Sequence, residues 1–134
     1  MVRYQSKLSG PLIDRIDLHV EVPAVVTQDL MQAPPGESSA VVQARCSAAR
    51  ARAMARQGRS NQALQGQEID RFVLLDAAAA KFLSVAAARL GWSARSTHRA
   101  LKVARTIADL AGATCTQSTH VAEALQYRRA LSTA

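Results

Sequence analysis

The sequence predicts a mainly α-helical fold: a small helical bundle preceded by an N-terminal arm that carries one strand. Three observations predict it. Beyond residue 38, apolar residues recur at helical spacing, and the stretches open on Ser or Asp and close near Gly. Period-two alternation occurs in the arm, where Leu18, Val20 and Val22 fall on one face and Asp17, His19 and Glu21 on the other. The run Pro34-Pro35-Gly36 separates the two regimes. At 134 residues the chain makes one small domain. The division expected is residues 1–38 as a mobile arm and linker and residues 39–134 as the helical domain.

Taken in order, the arm opens with a short helix around Gly10–Arg15 and continues as the Asp17–Val22 strand. One strand without a second leaves its backbone donors and acceptors unpaired, so it reads as a piece of a larger sheet. Pro23–Ser39 reads as a linker without helical periodicity. Ser38 or Ser39 then caps a helix to about Gln57, with Gly58 as its stop. Val42, Cys46, Ala49 and Ala53 make its apolar stripe, which puts Cys46 in the core as a free thiol. Arg45, Arg52, Arg56 and Arg59 share another face, read as solvated.

A polar stretch, Gln57–Gln67, has room for a turn at Asn61–Leu64, and one or two helical turns follow at Glu68–Leu75. Asp76 caps a helix to Leu90, ended by Gly91, with Ala79, Phe82, Leu83, Ala86 and Leu90 facing inward. Ser93 caps the next helix, to about Leu110, with a stop at Gly112. Its Leu101, Ala104, Ala108 and Ala111 point one way, and Arg95, Arg99 and Lys102 form a basic stripe. A last helix covers Ser118–Leu131, with Val121, Ala124 and Leu125 inward.

Composition narrows the function. Aromatics are 4% of the chain, so the core is built from small side chains on closely packed helices. The formal charge of +7 is compatible with nucleic-acid or nucleotide contacts, with an acidic neighbouring subunit, or with a solvated basic surface. Cys46 and Cys115 stand far apart with no CxxC, which suits a reducing cytoplasm. No apolar run reaches the length of a membrane span, so no membrane partner is expected. His19, His98 and His120 are scattered without metal-ligand spacing, and no GxSxG marks a nucleophile. No Gly-Lys step exists to cradle a nucleotide phosphate. The chain therefore offers no self-contained active site, no metal site and no cofactor of its own.

The segments LSGPLIDRIDLHVEVP, GESSA (Gly36–Ala40), ARLGWSARSTHRALKVARTIADLAG and HVAEALQYR (His120–Arg128) stand in an order that resembles the C-terminal part of the magnesium-chelatase-like AAA+ ATPases, nearest the competence-type group. The resemblance implies a C-terminal lid of a larger ATP-driven, DNA-processing motor. Its partners would be neighbouring subunits of a homo-oligomeric ring, a hexamer by the family's habit, and DNA. ATP and Mg would belong to the longer parent, and this fragment alone would be inactive.

The resemblance also implies two site residues. Arg15, in PLIDRIDL, matches the arginine finger that reaches the nucleotide of the neighbouring subunit in trans; a guanidinium's fixed donor fork suits charge developing on a γ-phosphate. Arg95, in Ser93-Ala94-Arg95, matches the second sensor, which contacts its own subunit's nucleotide. The residues alone also permit Arg15 to pair with Asp14 or Asp17 at the surface, and Arg95 to be solvated. Two further readings stay open: the lid of a true magnesium chelatase ATPase subunit, and a freestanding basic helical module that binds DNA.

Overall fold

The computed structural model describes residues 9–129. Seven α-helices and one 3₁₀ turn follow one another: α1 (Gly10–Ile13), α2 (Thr27–Gln32), α3 (Ser39–Gln57), the turn Asn61–Ala63, α4 (Gln67–Val73), α5 (Ala77–Leu90), α6 (Ala94–Leu110) and α7 (Ser118–Arg129). The expected continuation of the last helix to Leu131 lies outside the described residues.

The helix boundaries follow local chemistry. Ser38, Asp76 and Ser93 each accept a hydrogen bond from the backbone N–H three residues on, at Val41, Ala79 and Ser96. Gly58 and Gly91 close α3 and α5 in the left-handed conformation, where a side chain would be strained. Helix α4 ends less easily, because Leu74 takes that conformation at φ 54°. The chain there is stitched to the α6–α7 loop: the Thr116 N–H donates to the Leu74 carbonyl and the Asp76 N–H to the Thr116 carbonyl.

Helix α6 is the hub. It packs against α3, α4, α7 and the 3₁₀ turn, while α5 packs on α7. The apolar core joins Leu64, Ile69, Val73, Ala79, Leu83, Leu101, Ala104, Val121, Ala124 and Leu125. Five alanines, Ala49, Ala53, Ala100, Ala104 and Ala108, are buried on α3 and α6, as close helix packing without aromatics requires.

Several expectations are corrected. Among the described residues no strand forms: Asp17–Val22 runs without a ladder, and one isolated bridge, Leu75 with Thr116, occurs elsewhere. A strand needs a second extended backbone alongside, and the backbone that His19 meets, at the Tyr127 carbonyl, belongs to a helix. The linker holds α2, whose Leu30 and Met31 are exposed. Cys46 is exposed rather than buried, because only the later turns of α3, at Ala49 and Ala53, reach the core. Phe82, Leu90 and Ala111 are likewise exposed.

The solvated-face reading of the α3 arginines fails for Arg52 and Arg56. Arg56 grips the Asp109 carboxylate with both terminal nitrogens, at 2.7 and 2.9 Å, and Arg52 donates to the Asp109 carbonyl at 2.9 Å. Gly112 sits beside the Arg52 guanidinium, where an added Cβ would lie 3.5 Å from Nη2. Arg45 and Arg59 pair at the surface with Glu37 and Glu68.

Candidate functional site

The N-terminal half of α6 organises the candidate site. Ala100, Leu101, Ala104, Arg105 and Ala108 bury one side of this helix. The period of 3.6 residues then turns Arg95, Arg99 and Lys102 to the opposite side, together with His98. These four residues line a cleft of about 560 Å³. Its other wall comes from the 3₁₀ turn and the start of α4, through Gln62 and Gly66, and its rim from Asp17 of the arm. The expected basic stripe is therefore the lining of a concave, cation-rich surface.

The cations differ in what holds them. Lys102 Nζ donates to the Gln62 carbonyl at 3.0 Å, which fixes the stem of the lysine across the cleft. Arg99 Nη1 donates to the Arg15 carbonyl and to the Asp17 carboxylate, both at 2.6 Å. Arg95, on the first turn of α6, is exposed and makes no side-chain hydrogen bond or ion pair among the described residues. A cation there gains nothing from the helix dipole, whose N-terminal end is itself positive, so an anion in the cleft would be favoured by both.

Arg15 lies on the arm outside the cleft, with its side chain exposed. The acidic neighbours that could have neutralised it are used otherwise. Asp17 pairs with Arg99. Asp14 accepts from the Ser96 hydroxyl at 3.2 Å and lies 3.7 Å from Arg128. Arg15 thus has no ion-pair partner among the described residues. Structure brings the backbone of Arg15 to the helix of Arg95, through Arg99, while leaving both side chains exposed.

A second depression of about 420 Å³ lies on the other flank of the α6 N-terminus, lined by Asp14, His19, Trp92, Ser96 and Arg128. The Arg128 guanidinium stacks over Trp92 at 5.7 Å. The His19 N–H donates to the Tyr127 carbonyl at 2.8 Å, pinning the arm to α7. Both ring nitrogens of His19 are buried without a partner. Burial, and then the charge of Arg128, push the His19 pKa below its usual value.

The sequence missed the most buried polar cluster. Arg105 and Asp109 are each 1% exposed, one turn apart on α6. Asp109 accepts from Arg56, Arg105 and Asn61, while Arg105 also donates to the carbonyls of Ala113 and Thr114. Burial would raise the Asp109 pKa, but the donors from Arg56, Arg105 and Asn61 outweigh it and hold the carboxyl below its ordinary range. Its donors and acceptors are satisfied within the fold, so the cluster is a polar core. The one sequence signal was the i, i+4 spacing of Arg105 and Asp109, which does not distinguish a surface pair from a buried one. His120, also buried, caps its own helix, its Nδ1 accepting from the Gln117 N–H.

Among the described residues no group of His, Cys, Asp and Glu could hold a metal ion, and no helix is long and apolar enough to cross a membrane.

The chain matches two family models: that of the C-terminal part of magnesium chelatase subunit ChlI over residues 36–128, and that of magnesium chelatase subunit ChlI over residues 1–30. It is similar to competence protein ComM of Haemophilus influenzae, at 43% identity over 96% of this chain and 25% of ComM. It is also similar to the uncharacterized protein YifB of Salmonella typhimurium, at 43% identity over 95% of this chain and 25% of YifB. YifB of Escherichia coli is 42% identical over 95% of this chain and 25% of that protein. The chain thus spans about a quarter of the length of these relatives.

Proposed function

The chain belongs to the magnesium chelatase family, and on that premise we propose that it is the C-terminal lid of an ATP-driven ring motor of the competence type that processes DNA. Helix α6 closes over a nucleotide whose phosphate cradle lies in the rest of the longer protein. Arg95 senses the nucleotide of its own subunit, with Lys102 and His98 on the same wall of the cleft. Arg15 is offered to the nucleotide of the neighbouring subunit.

The observation that carries this reading is the disposition of charge. Arg95 opens into a concave surface with a cationic helix face, and both acids beside Arg15 are engaged by α6 and α7. The donor set suits a polyphosphate: a guanidinium fork for oxygens and an ammonium point charge beside it. ATP bound there would supply the phosphoryl group for hydrolysis. This chain's residues contribute charge and position, and the metal that accompanies ATP would ride on the phosphates and on the longer protein. Four of the five arginines between residues 45 and 59, namely Arg45, Arg52, Arg56 and Arg59, are engaged within the chain, which supports a lid over a freestanding DNA module.

The test is made in the full-length protein. Arg15→Ala and Arg95→Ala should each cut ATP turnover strongly; loss of an arginine finger costs roughly 10³-fold or more in favourable cases. Mixing Arg15→Ala subunits with subunits defective in their own phosphate loop should restore activity at mixed interfaces. Mixing Arg95→Ala with the same loop variant should restore none beyond dilution. An Arg15 mixture that stays inactive while subunits exchange would end the in-trans assignment.

A further inference from the structure

Arg99 is the point where the two candidate arginines meet. One nitrogen of its guanidinium holds the carbonyl of Arg15 and the carboxylate of Asp17. Its stem springs from α6 one turn after Arg95, and its head lines the same cleft. Asp17 lines that cleft too, so the arm inserts a carboxylate where the surrounding chemistry calls for an anion. Arg99 and Asp17 are partly exposed, at 26% and 43% of their side chains, and such a pair opens readily.

We propose that the cleft is an anion-competitive clasp: a polyphosphate entering between Arg95 and Lys102 takes Arg99 from Asp17 and thereby releases the Arg15 segment from α6. Arg99 is a positioning residue, acting on Arg15 through its backbone. The inference deepens the proposed function, and rests on it only in taking the polyphosphate to be that of a nucleotide. In the ring, filling one subunit's site would free the same subunit's Arg15 to reach its neighbour.

Two physical points carry the competition. A guanidinium already committed to a carboxylate has fewer donors for a second anion, so Asp17 must lower the affinity of the cleft for any other anion. Linkage makes the effect reciprocal: if the docked arm weakens anion binding, the anion weakens arm docking by the same factor. The remaining arm contacts lie outside the cleft. Asp14 bonds Ser96, and the His19 N–H bonds the Tyr127 carbonyl, so the His19 amide reports whether the arm is docked.

The experiment uses the 134-residue chain, with inorganic tripolyphosphate at millimolar concentration as the probe and sodium chloride at matched ionic strength as the control. Chemical shifts of the Ala94–Lys102 amides read binding, and hydrogen exchange at His19 reads the arm. The Ala104 and Ala108 amides monitor the fold. Tripolyphosphate should shift the α6 amides saturably and speed exchange at His19, while Ala104 and Ala108 stay unchanged. Asp17→Asn should tighten tripolyphosphate about fivefold or more and speed His19 exchange without any anion. Adding Arg99→Gln to Asp17→Asn should abolish the gain in affinity.

The proposal is overturned if tripolyphosphate does not bind, or if it binds and leaves His19 exchange as it was. It is equally overturned if Asp17→Asn leaves the affinity unchanged, or if wild-type His19 exchanges as fast as the amide of Val22. A short single-stranded DNA that frees His19 at lower phosphate concentration than tripolyphosphate would overturn the assignment to a nucleotide's phosphates. None of these readouts involves ATP turnover, so failure of the clasp and failure of the lid assignment are separable.

Discussion

Helix α6 pairs aspartate with arginine at both of its ends, and the two pairings are opposites. At its C-terminal end, Asp109 and Arg105 are 1% exposed, and the carboxylate accepts from two guanidinium groups and an amide. At its N-terminal end, Arg99 meets Asp17 at the rim of an open cleft, and Arg95 beside it meets no protein partner among the described residues. A buried ion pair left half intact is costly, so the first arrangement is locked. An exposed pair contributes little and is screened by salt, so the second is available for exchange with a ligand. The same two residue types build a core in one place and a site in the other, and burial decides which.

Breaking the locked end should have the largest effect on stability. Asp109→Ala strands the Arg56 and Arg105 guanidinium groups and the Asn61 amide, and should cost about 3–5 kcal/mol in a denaturant melt. A variant as stable as wild type would show that solvent reaches the cluster. Acid probes the same end without mutation. The Asp109 pKa is lowered in the fold, so its contribution is complete above the ordinary aspartate value of 3.8 and is lost as pH falls further, through the lowered pKa. Wild type should therefore melt progressively earlier below about pH 4, and the difference from Asp109→Ala should narrow there.

The open end should respond at milder pH and by smaller amounts. The folded-state pKa of His19 is lowered from 6.5. The neutral ring is therefore the docked form, and docking weakens as pH falls below 6.5 and the proton is taken up preferentially by the released arm. The groups facing His19 are Arg128 on α7 and Asp14 on the arm, with Arg99 and Asp17 adjoining Arg128. Hydrogen exchange at the His19 amide, corrected for intrinsic rate, should quicken on the acid side of that value, and a flat profile would place the ring in solvent. This also bears on residues 1–38 as a mobile arm: among the described residues of the arm, Asp14–His19 makes hydrogen bonds to α6 and α7, and its protection should exceed that of Val20–Val26.

The smallest effects are expected for the site cations. Asp17→Asn should lower global stability by less than about 1 kcal/mol, and Arg95→Ala should change it by no more than about 0.5 kcal/mol. A large loss on Arg95→Ala would mean that this arginine is structural, and the contrast between the two ends of α6 would collapse.

Much of this was legible from residues close in the chain. The caps at Ser38, Asp76 and Ser93, the glycine stops, and the placement of Arg95, Arg99 and Lys102 on one face depend on spacings within a turn or two. Capping and helical period act over that distance, and for that reason the sequence by itself determined the helices of the bundle from Ser39 on, their order and the cationic stripe, though not α2 in the linker. The matched family models agree with the resemblance carried by the LSGPLIDRIDL and SARSTHR segments.

Tertiary structure alone decided the partners. Arg56 and Asp109 are 53 residues apart in sequence, and Arg99 and Asp17 are 82 apart. No local rule selects Asp109 over Glu37 or Glu68 as the acid for a given arginine on α3. Likewise the alternation at Asp17–Val22 states a preference for extended backbone, but a strand exists only where a second backbone comes alongside. Helical hydrogen bonds close within a segment and can be read from it. Ion pairs, burial and sheet pairing close between segments, so they are settled only when the chain has brought those segments together.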